Sequence, residues 1–329
     1  MTMQQQQIKN THDLEAFDSP WREEFPSLKH EANGKPAVFL DTAASALKAQ
    51  PVIDAINQAL SGPYANIHRG LYSWSQDVTR AYEAAREAAA RFVGGADQEI
   101  IFTRSTTESI NLVAQTWGAQ TLAKGDVVLL TGMEHHANIV PWQLLQEHIG
   151  FEIRVIPVTE TGVLDLNAYE NMLSPRVKLI GLVHISNALG TVNPVAQMIE
   201  MARKNAPLTK VLVDASQSVM HKPIHVRKID ADFLTITGHK LYGPTGIGYL
   251  WAKKEILASM RPWQGGGDMI ETVTFTKTTY KDGPARFEAG TPAIIEVLGL
   301  HAALDFIEKA GFEAILAHEK KFLNLLISE

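Results

Sequence analysis

The sequence predicts an α/β protein in which a mainly parallel sheet lies between helices, and three observations carry that expectation. Short apolar runs rich in Val, Ile and Leu recur with little polar alternation, the pattern of strands covered on both faces. Stretches of helical periodicity separate them, and strand–helix–strand alternation favours parallel neighbours. No repeat or low-complexity linker divides the 329 residues, a length that suits one large domain with a smaller companion.

In chain order, strands are expected at 36–41 (PAVFLD), 99–103 (EIIFT), 126–132, 152–158, 178–185, 210–216, 232–238 and 246–252. A helix fits residues 77–93, where Asp77 can cap and Val78, Ala81, Tyr82, Ala85 and Ala89 share one face. Further helices fit 105–117, 141–148, 166–172 and 195–205. A last helix at 312–327 sets Phe322, Leu323, Leu325, Leu326 and Ile327 on an apolar face for which the sequence offers no partner, and stable monomers rarely expose such a face.

Composition narrows the function. A net charge of −6 leaves no electrostatic footprint for nucleic acid or an anionic membrane. No apolar run approaches the roughly 20 residues of a spanning helix. The opening MTMQQQQIKN lacks the apolar stretch of a secretory signal and reads as a solvated terminus, so a cytoplasmic protein is expected. The sequence contains no cysteine, which excludes disulfides, thiolate metal sites and a cysteine nucleophile within these residues.

Polar residues stand at three strand ends, where open α/β sheets bind ligands. Asp214 closes the run VLVD and leads into Ala215, Ser216 and Gln217. Lys240 follows DFLTITG-His239 and precedes the turn LYGPTG, and His135 follows DVVLLTG-Met133-Glu134. Each type has an ordinary role alone: such a lysine is usually solvated and such an aspartate usually caps a helix. Together they match pyridoxal-5'-phosphate (PLP) chemistry. That chemistry needs a lysine amine to hold the aldehyde and move protons, and an acid that keeps the pyridine nitrogen protonated. At about 4 Å and an effective dielectric near 20, such a pair is worth roughly 4 kcal/mol, or about three pKa units.

The cofactor's phosphate needs an anion site. Ser105, Thr106, Thr107 and Glu108 follow EIIFT and open a helix, whose first N–H groups suit one. Ser105 and Glu108 also fit a capping box, and both readings can hold together. Thr237 and His239 flank the lysine turn and can complete the cradle. His135-His136 are not spaced for a metal, Gly265-Gly266-Gly267 lacks the Lys-Ser/Thr of a P-loop, and no G-x-G-x-x-G follows an early strand.

With these residues in view, the chain resembles the class V aminotransferase-fold enzymes, and within them the SufS-type (group II) cysteine desulfurases. The resemblance runs from about Leu40 to Pro292 through LDTAAS (40–45), NIHRG (66–70), RSTTE (104–108), MEHHANIVPW (133–142), HISNALG (184–190), DASQ (214–217), GHKLYGPTG (238–246) and RFEAGTP (286–292). It implies PLP fold type I: a large domain with a mainly parallel, seven-stranded-type sheet, and a small α+β domain of which this sequence holds only part. Residues 1–30 then form an N-terminal segment on the small-domain side, 31–288 the large domain, and 289–329 the start of the small one.

The resemblance also implies roles. Lys240 is the Schiff-base lysine, Asp214 the pyridine-nitrogen partner, Gln217 a ligand of the ring hydroxyl and His135 the residue stacked on the ring. Thr106, Thr107, Thr237 and His239 hold the phosphate, and Thr291 reaches a partner subunit's phosphate in a homodimer. Asn187 contacts the substrate carboxylate or ring hydroxyl, and His68 lines the substrate entrance. The implied reaction takes sulfur from L-cysteine, or selenium from L-selenocysteine, and leaves alanine, with a sulfur-acceptor protein beyond. Iron–sulfur cluster assembly is the implied destination. Members of the family carry their nucleophilic cysteine and a carboxylate-binding arginine in a C-terminal domain, so the sequence is expected to be truncated. Another class V enzyme (epimerase, aminotransferase or kynureninase-like lyase) and an inactive scaffold are the rival readings.

Overall fold

A computed structural model describes residues 19–328. The solvated Gln-rich terminus expected at residues 1–10 lies outside the described residues. Seven strands form the central sheet: β1 (Ile100–Thr103), β2 (Val127–Thr131), β3 (Glu152–Ile156), β4 (Val177–Val183), β5 (Lys210–Asp214), β6 (Phe233–Thr237) and β7 (Gly248–Ala252). Their spatial order is β1-β7-β6-β5-β4-β2-β3. Only β7 runs against the rest, pairing antiparallel with both β1 and β6. The sheet is therefore mixed but mainly parallel.

Apolar runs without polar alternation build this sheet because both faces are covered. Along β5, Val211 and Val213 point into one core cluster and Leu212 into the other, and all three are fully buried. The same alternation sets Leu234 and Ile236 opposite Phe233 on β6, and Tyr249 and Trp251 opposite Leu250 on β7. Strand β3, at the sheet edge, is the exception, with Val155 54% exposed.

Helix α1 (Gln50–Ser61) and helix α2 (Ser73–Val93) precede the sheet, and α3 (Thr106–Val113) follows β1 and runs on into a π turn at Ala114–Gly118. Helices α4 (Val140–Ile149), α5 (Leu166–Met172) and α6 (Val195–Asn205) connect parallel strands, and α7 (Ile294–Ala310) and α8 (Phe312–Ser328) close the chain. Helix α7 buries Ile294, Val297, Leu300, Leu304 and Ile307 in the same core as the inner face of α2. On α8, Leu323, Leu326 and Ile327 stay more than half exposed. No helix among the described residues is long and apolar enough to cross a membrane.

Two expectations fail. The run PAVFLD is no sheet strand: only Lys35–Pro36 pairs, with Glu31–Ala32, while Val38 and Leu40 are 81% and 91% exposed. Pro36 lacks a donor for a ladder, and the chain after it becomes a strap whose Ala46 N–H donates to the His239 carbonyl at 3.0 Å. Helix α2 starts at Ser73 rather than 77, so Asp77 caps nothing and instead pairs with Arg80 one turn on.

Candidate active site

Parallel strands bring their carboxyl ends to one edge of the sheet, and five of those ends build a single cavity. It is lined by Ser105, Thr106 and Thr107 after β1, His135 and Ala137 after β2, and Asn187 after β4. Asp214, Ser216 and Gln217 at the end of β5, and Thr237, His239 and Lys240 at the end of β6, complete the lining. Adjacent strands β5 and β6 hold the acid and the lysine turn side by side, with Asp214 in register with Thr235.

Asp214 is 3% exposed. Its Oδ1 accepts from the Ser216 amide at 2.9 Å and the Ser216 hydroxyl at 2.6 Å, while Oδ2 accepts no hydrogen bond among the described residues. One oxygen is anchored and the other is left for a ligand donor. The Lys240 amine makes no hydrogen bond among the described residues; burial lowers its ammonium pKa below the usual lysine range, and the Asp214 charge opposes that. His135 accepts the Ala137 amide at Nδ1 (3.1 Å), which places the proton of its neutral ring on Nε2. Partial burial and then the Lys240 charge lower its pKa, against Asp214. The neutral imidazole is the form favoured at neutral pH.

The far end of the cavity has the chemistry of an anion site. Ser105 caps α3 by accepting the Glu108 amide at 3.4 Å, and Glu108 bonds the Arg104 amide, one residue short of a full capping box. The Thr106 and Thr107 amides have no partner among the described residues, as first-turn N–H groups of a helix do not. The Thr237 hydroxyl is buried and has no partner among the described residues. A Cβ on Gly248 would lie 2.4 Å from the Ile236 carbonyl oxygen and 3.0 Å from the Ser105 Cα, so glycine there lets β7 close against the start of α3. Donors without partners, an anchored acid and a desolvated amine fit the phosphate, ring nitrogen and aldehyde of PLP.

The sequence profile of class-V aminotransferases matches residues 38–329. This chain belongs to the class-V aminotransferase family. It is 46% identical over 303 residues to the cysteine desulfurase of Synechococcus elongatus, covering 92% of this chain and 48% of that protein. It is 46% identical over 310 residues to the cysteine desulfurase of Cronobacter sakazakii, covering 94% and 76%. The chain thus spans about half the length of one curated relative and about three quarters of the other. The crystal structure of the cysteine desulfurase CsdA of Escherichia coli aligns with a TM-score of 0.81 at 38% identity, covering 89% of this chain and 72% of that one.

Two expected site residues of this class-V aminotransferase chain lie outside the cavity. His68 has a left-handed φ of 63° and pairs with Glu83 at 3.0 Å, in a separate cleft beside α2. Thr291 lines another cleft with Arg104, Glu108 and Gln264. Three contributors went unread. Ser216 anchors the acid; Ala43 accepts Gln217 Nε2 at 2.7 Å; Lys48 donates to the Ala46 and His239 carbonyls at 2.8 and 3.1 Å. The last two tie the 41–48 strap to the site. Among these only Ser216, two residues after the acid, carried a signal in the sequence.

Proposed function

We propose that this chain binds PLP and carries the cofactor half of a cysteine desulfurase, with Lys240 holding the aldehyde. The observation that supports it best is the convergence of Lys240, Asp214 and His135 in one cavity with the unpartnered Thr237 hydroxyl. PLP, when bound, withdraws electrons from the substrate Cα. Asp214 Oδ2 keeps the proton on the pyridine nitrogen, and Lys240 Nζ takes and returns the Cα proton. His135 covers the ring with a neutral imidazole. Gln217, with one amide hydrogen committed to Ala43, offers the other to the ring hydroxyl, and Asn187 at the rim meets the substrate. The Thr106 and Thr107 amides, Thr237 and His239 hold the phosphate.

Overall, L-cysteine and a thiol give L-alanine and a persulfide (L-selenocysteine gives the corresponding selenenyl sulfide, RS–SeH), balanced without a further oxidant. The thiol is one that these 329 residues do not supply. Thr291 reaches a partner subunit's phosphate in a homodimer, His68 lines the substrate entrance, and a sulfur-acceptor protein takes the product in the cytoplasm. Borohydride reduction with PLP followed by peptide mapping tests the assignment. A pyridoxyl group on Lys240 supports it, and a label on another lysine overturns it. Product analysis with a panel of amino acids then separates desulfuration from epimerisation or transamination.

A further inference from the structure

We propose that Glu134 is a positioning residue for His135: its carboxylate gathers donors from three elements and so fixes the turn that carries the imidazole. The inference rests on the reading of His135 as a site residue. Glu134 Oε1 accepts the Thr131 hydroxyl at 2.6 Å, at the end of β2, and the Val183 amide at 2.7 Å, at the end of β4. Its Oε2 accepts the Asn138 side-chain amide at 2.8 Å, in the turn beyond His135. Asn138 in turn accepts the Trp142 indole N–H at 3.0 Å, on α4. Thr131, Glu134, Asn138, Trp142 and Val183 are all buried.

The polarity of this chain is fixed. An indole N–H only donates, so Asn138 presents its oxygen to Trp142 and its nitrogen to Glu134. A Cβ on Gly181 would sit 2.7 Å from that nitrogen, so glycine beneath lets the amide lie flat on β4. The same Asn138 reaches His135 through its backbone, donating to the His135 carbonyl at 2.8 Å, while Ala137 donates to the ring. Holding the Asn138 side chain therefore holds the imidazole. A packing role would not call for an acid here, buried beside the like charge of Asp214.

Donor–acceptor polarity supplies the test. In Glu134→Gln a new amide must face Asn138, Thr131 or the Val183 N–H, and every orientation, including a flipped Asn138, sets two donors against each other. The double variant Glu134→Gln/Asn138→Asp reverses one link and restores every bond at unchanged net charge. Nitrogen-15 NMR of the histidine rings, on protein without cofactor and with the tautomer read above about pH 7 where Glu134 is an acceptor-only carboxylate, reads the outcome directly. Lys240, Asp214 and His136 also act on the ring and are the same in all three proteins.

The wild type should show His135 protonated on Nε2. Glu134→Gln should mix the tautomers and raise the titration midpoint by about half a unit or more towards the ordinary value. PLP affinity should fall about fivefold or more. The double variant should return all three to within about twofold of wild type, or its equivalent in pH units. A folded Glu134→Gln with an unchanged tautomer and midpoint overturns the proposal. So does a folded double variant that departs from wild type by the shifts given above for Glu134→Gln, a comparison with wild type alone that stands even if the single variant does not fold. A wild type that places no pyridoxyl on Lys240 sinks the cofactor reading instead and leaves the ring measurements standing.

Discussion

Ser216 donates its hydroxyl proton to Asp214 at 2.6 Å, and that bond decides what Thr106 can do. The carboxylate can only accept, so Ser216 has no proton left for the Thr106 hydroxyl 2.7 Å away, and Thr106 must be the donor in that pair. The proton order runs Thr106 to Ser216 to Asp214. Thr106 therefore offers a phosphate its backbone N–H rather than its hydroxyl.

Replacing Ser216 by Ala removes one of the two donors that hold Asp214. Hydrogen bonds to a charged group are worth about 1.5–3 kcal/mol, so PLP affinity should fall by roughly one to two orders of magnitude. Thr106→Val, which keeps the N–H and loses only the relay, should cost less. Equilibrium dialysis with PLP measures both. Equal losses in the two variants would mean that the Thr106 hydroxyl touches the phosphate after all.

Thr237→Val should move stability and binding in opposite directions. The hydroxyl is buried with no partner among the described residues, so the cofactor-free protein carries its desolvation cost of about 1–3 kcal/mol. The isosteric valine should raise the urea midpoint of the cofactor-free protein and weaken PLP or inorganic phosphate binding. A variant destabilised without cofactor would show that the hydroxyl already has a partner.

The sheet and the core of the site were legible because both follow from local rules. Uniform apolar runs marked the seven strands, six of them buried, and Lys240, Asp214, His135 and Thr237 stood at strand ends, with a Gly/Pro turn after Lys240. The direction of β7 was also available: ten residues separate Thr237 from Gly248, too few for the crossover of a dozen or more that a parallel return needs. PAVFLD misled because an apolar run reads as a strand, whereas its neighbour Ala46 is spent on the His239 carbonyl, a contact between residues 193 apart. Glu134, flanked by His135, carries no sign of burial in the sequence. Only the meeting of β2 and β4 encloses it.

Helix α2 is tied to β1 through one charged centre at Glu288. Glu288 takes the Arg86 guanidinium through both oxygens, at 2.7 and 2.9 Å, and the Phe102 amide at 2.7 Å. Arg86 also donates to the Ile100 carbonyl and stacks on Phe102. Both side chains are nearly buried, at 7% and 11% exposure, so removing the acid leaves the guanidinium with only the more exposed Glu83, 3.1 Å from its Nε, as a carboxylate partner. Glu288→Gln should cost about 3–5 kcal/mol by urea unfolding. A loss below 1 kcal/mol would show that solvent and the existing Glu83 pair suffice for the guanidinium.

Glu134 also gives the fold a pH dependence of defined sign. Burial, the largest influence, pushes its carboxyl up to about 7 from an ordinary 4.5; the Thr131 and Asn138 donors oppose this, and Asp214 adds to it. In the window between those values the folded protein binds this proton and the unfolded chain does not. Stability rises with pH only where the unfolded state binds more protons, so here it must fall as pH climbs from about 4.5 to about 7. The span allows roughly 3 kcal/mol at most. Other groups titrate in the same range, so the quantity to measure is the stability of wild type minus that of Glu134→Gln, by urea unfolding without cofactor. Groups common to both cancel in that difference. It should decline across the window and level off above about pH 7, where Glu134 is ionised in both states. A difference that stays flat, or rises, means the three donors outweigh burial and hold Glu134 ionised at every pH in the range.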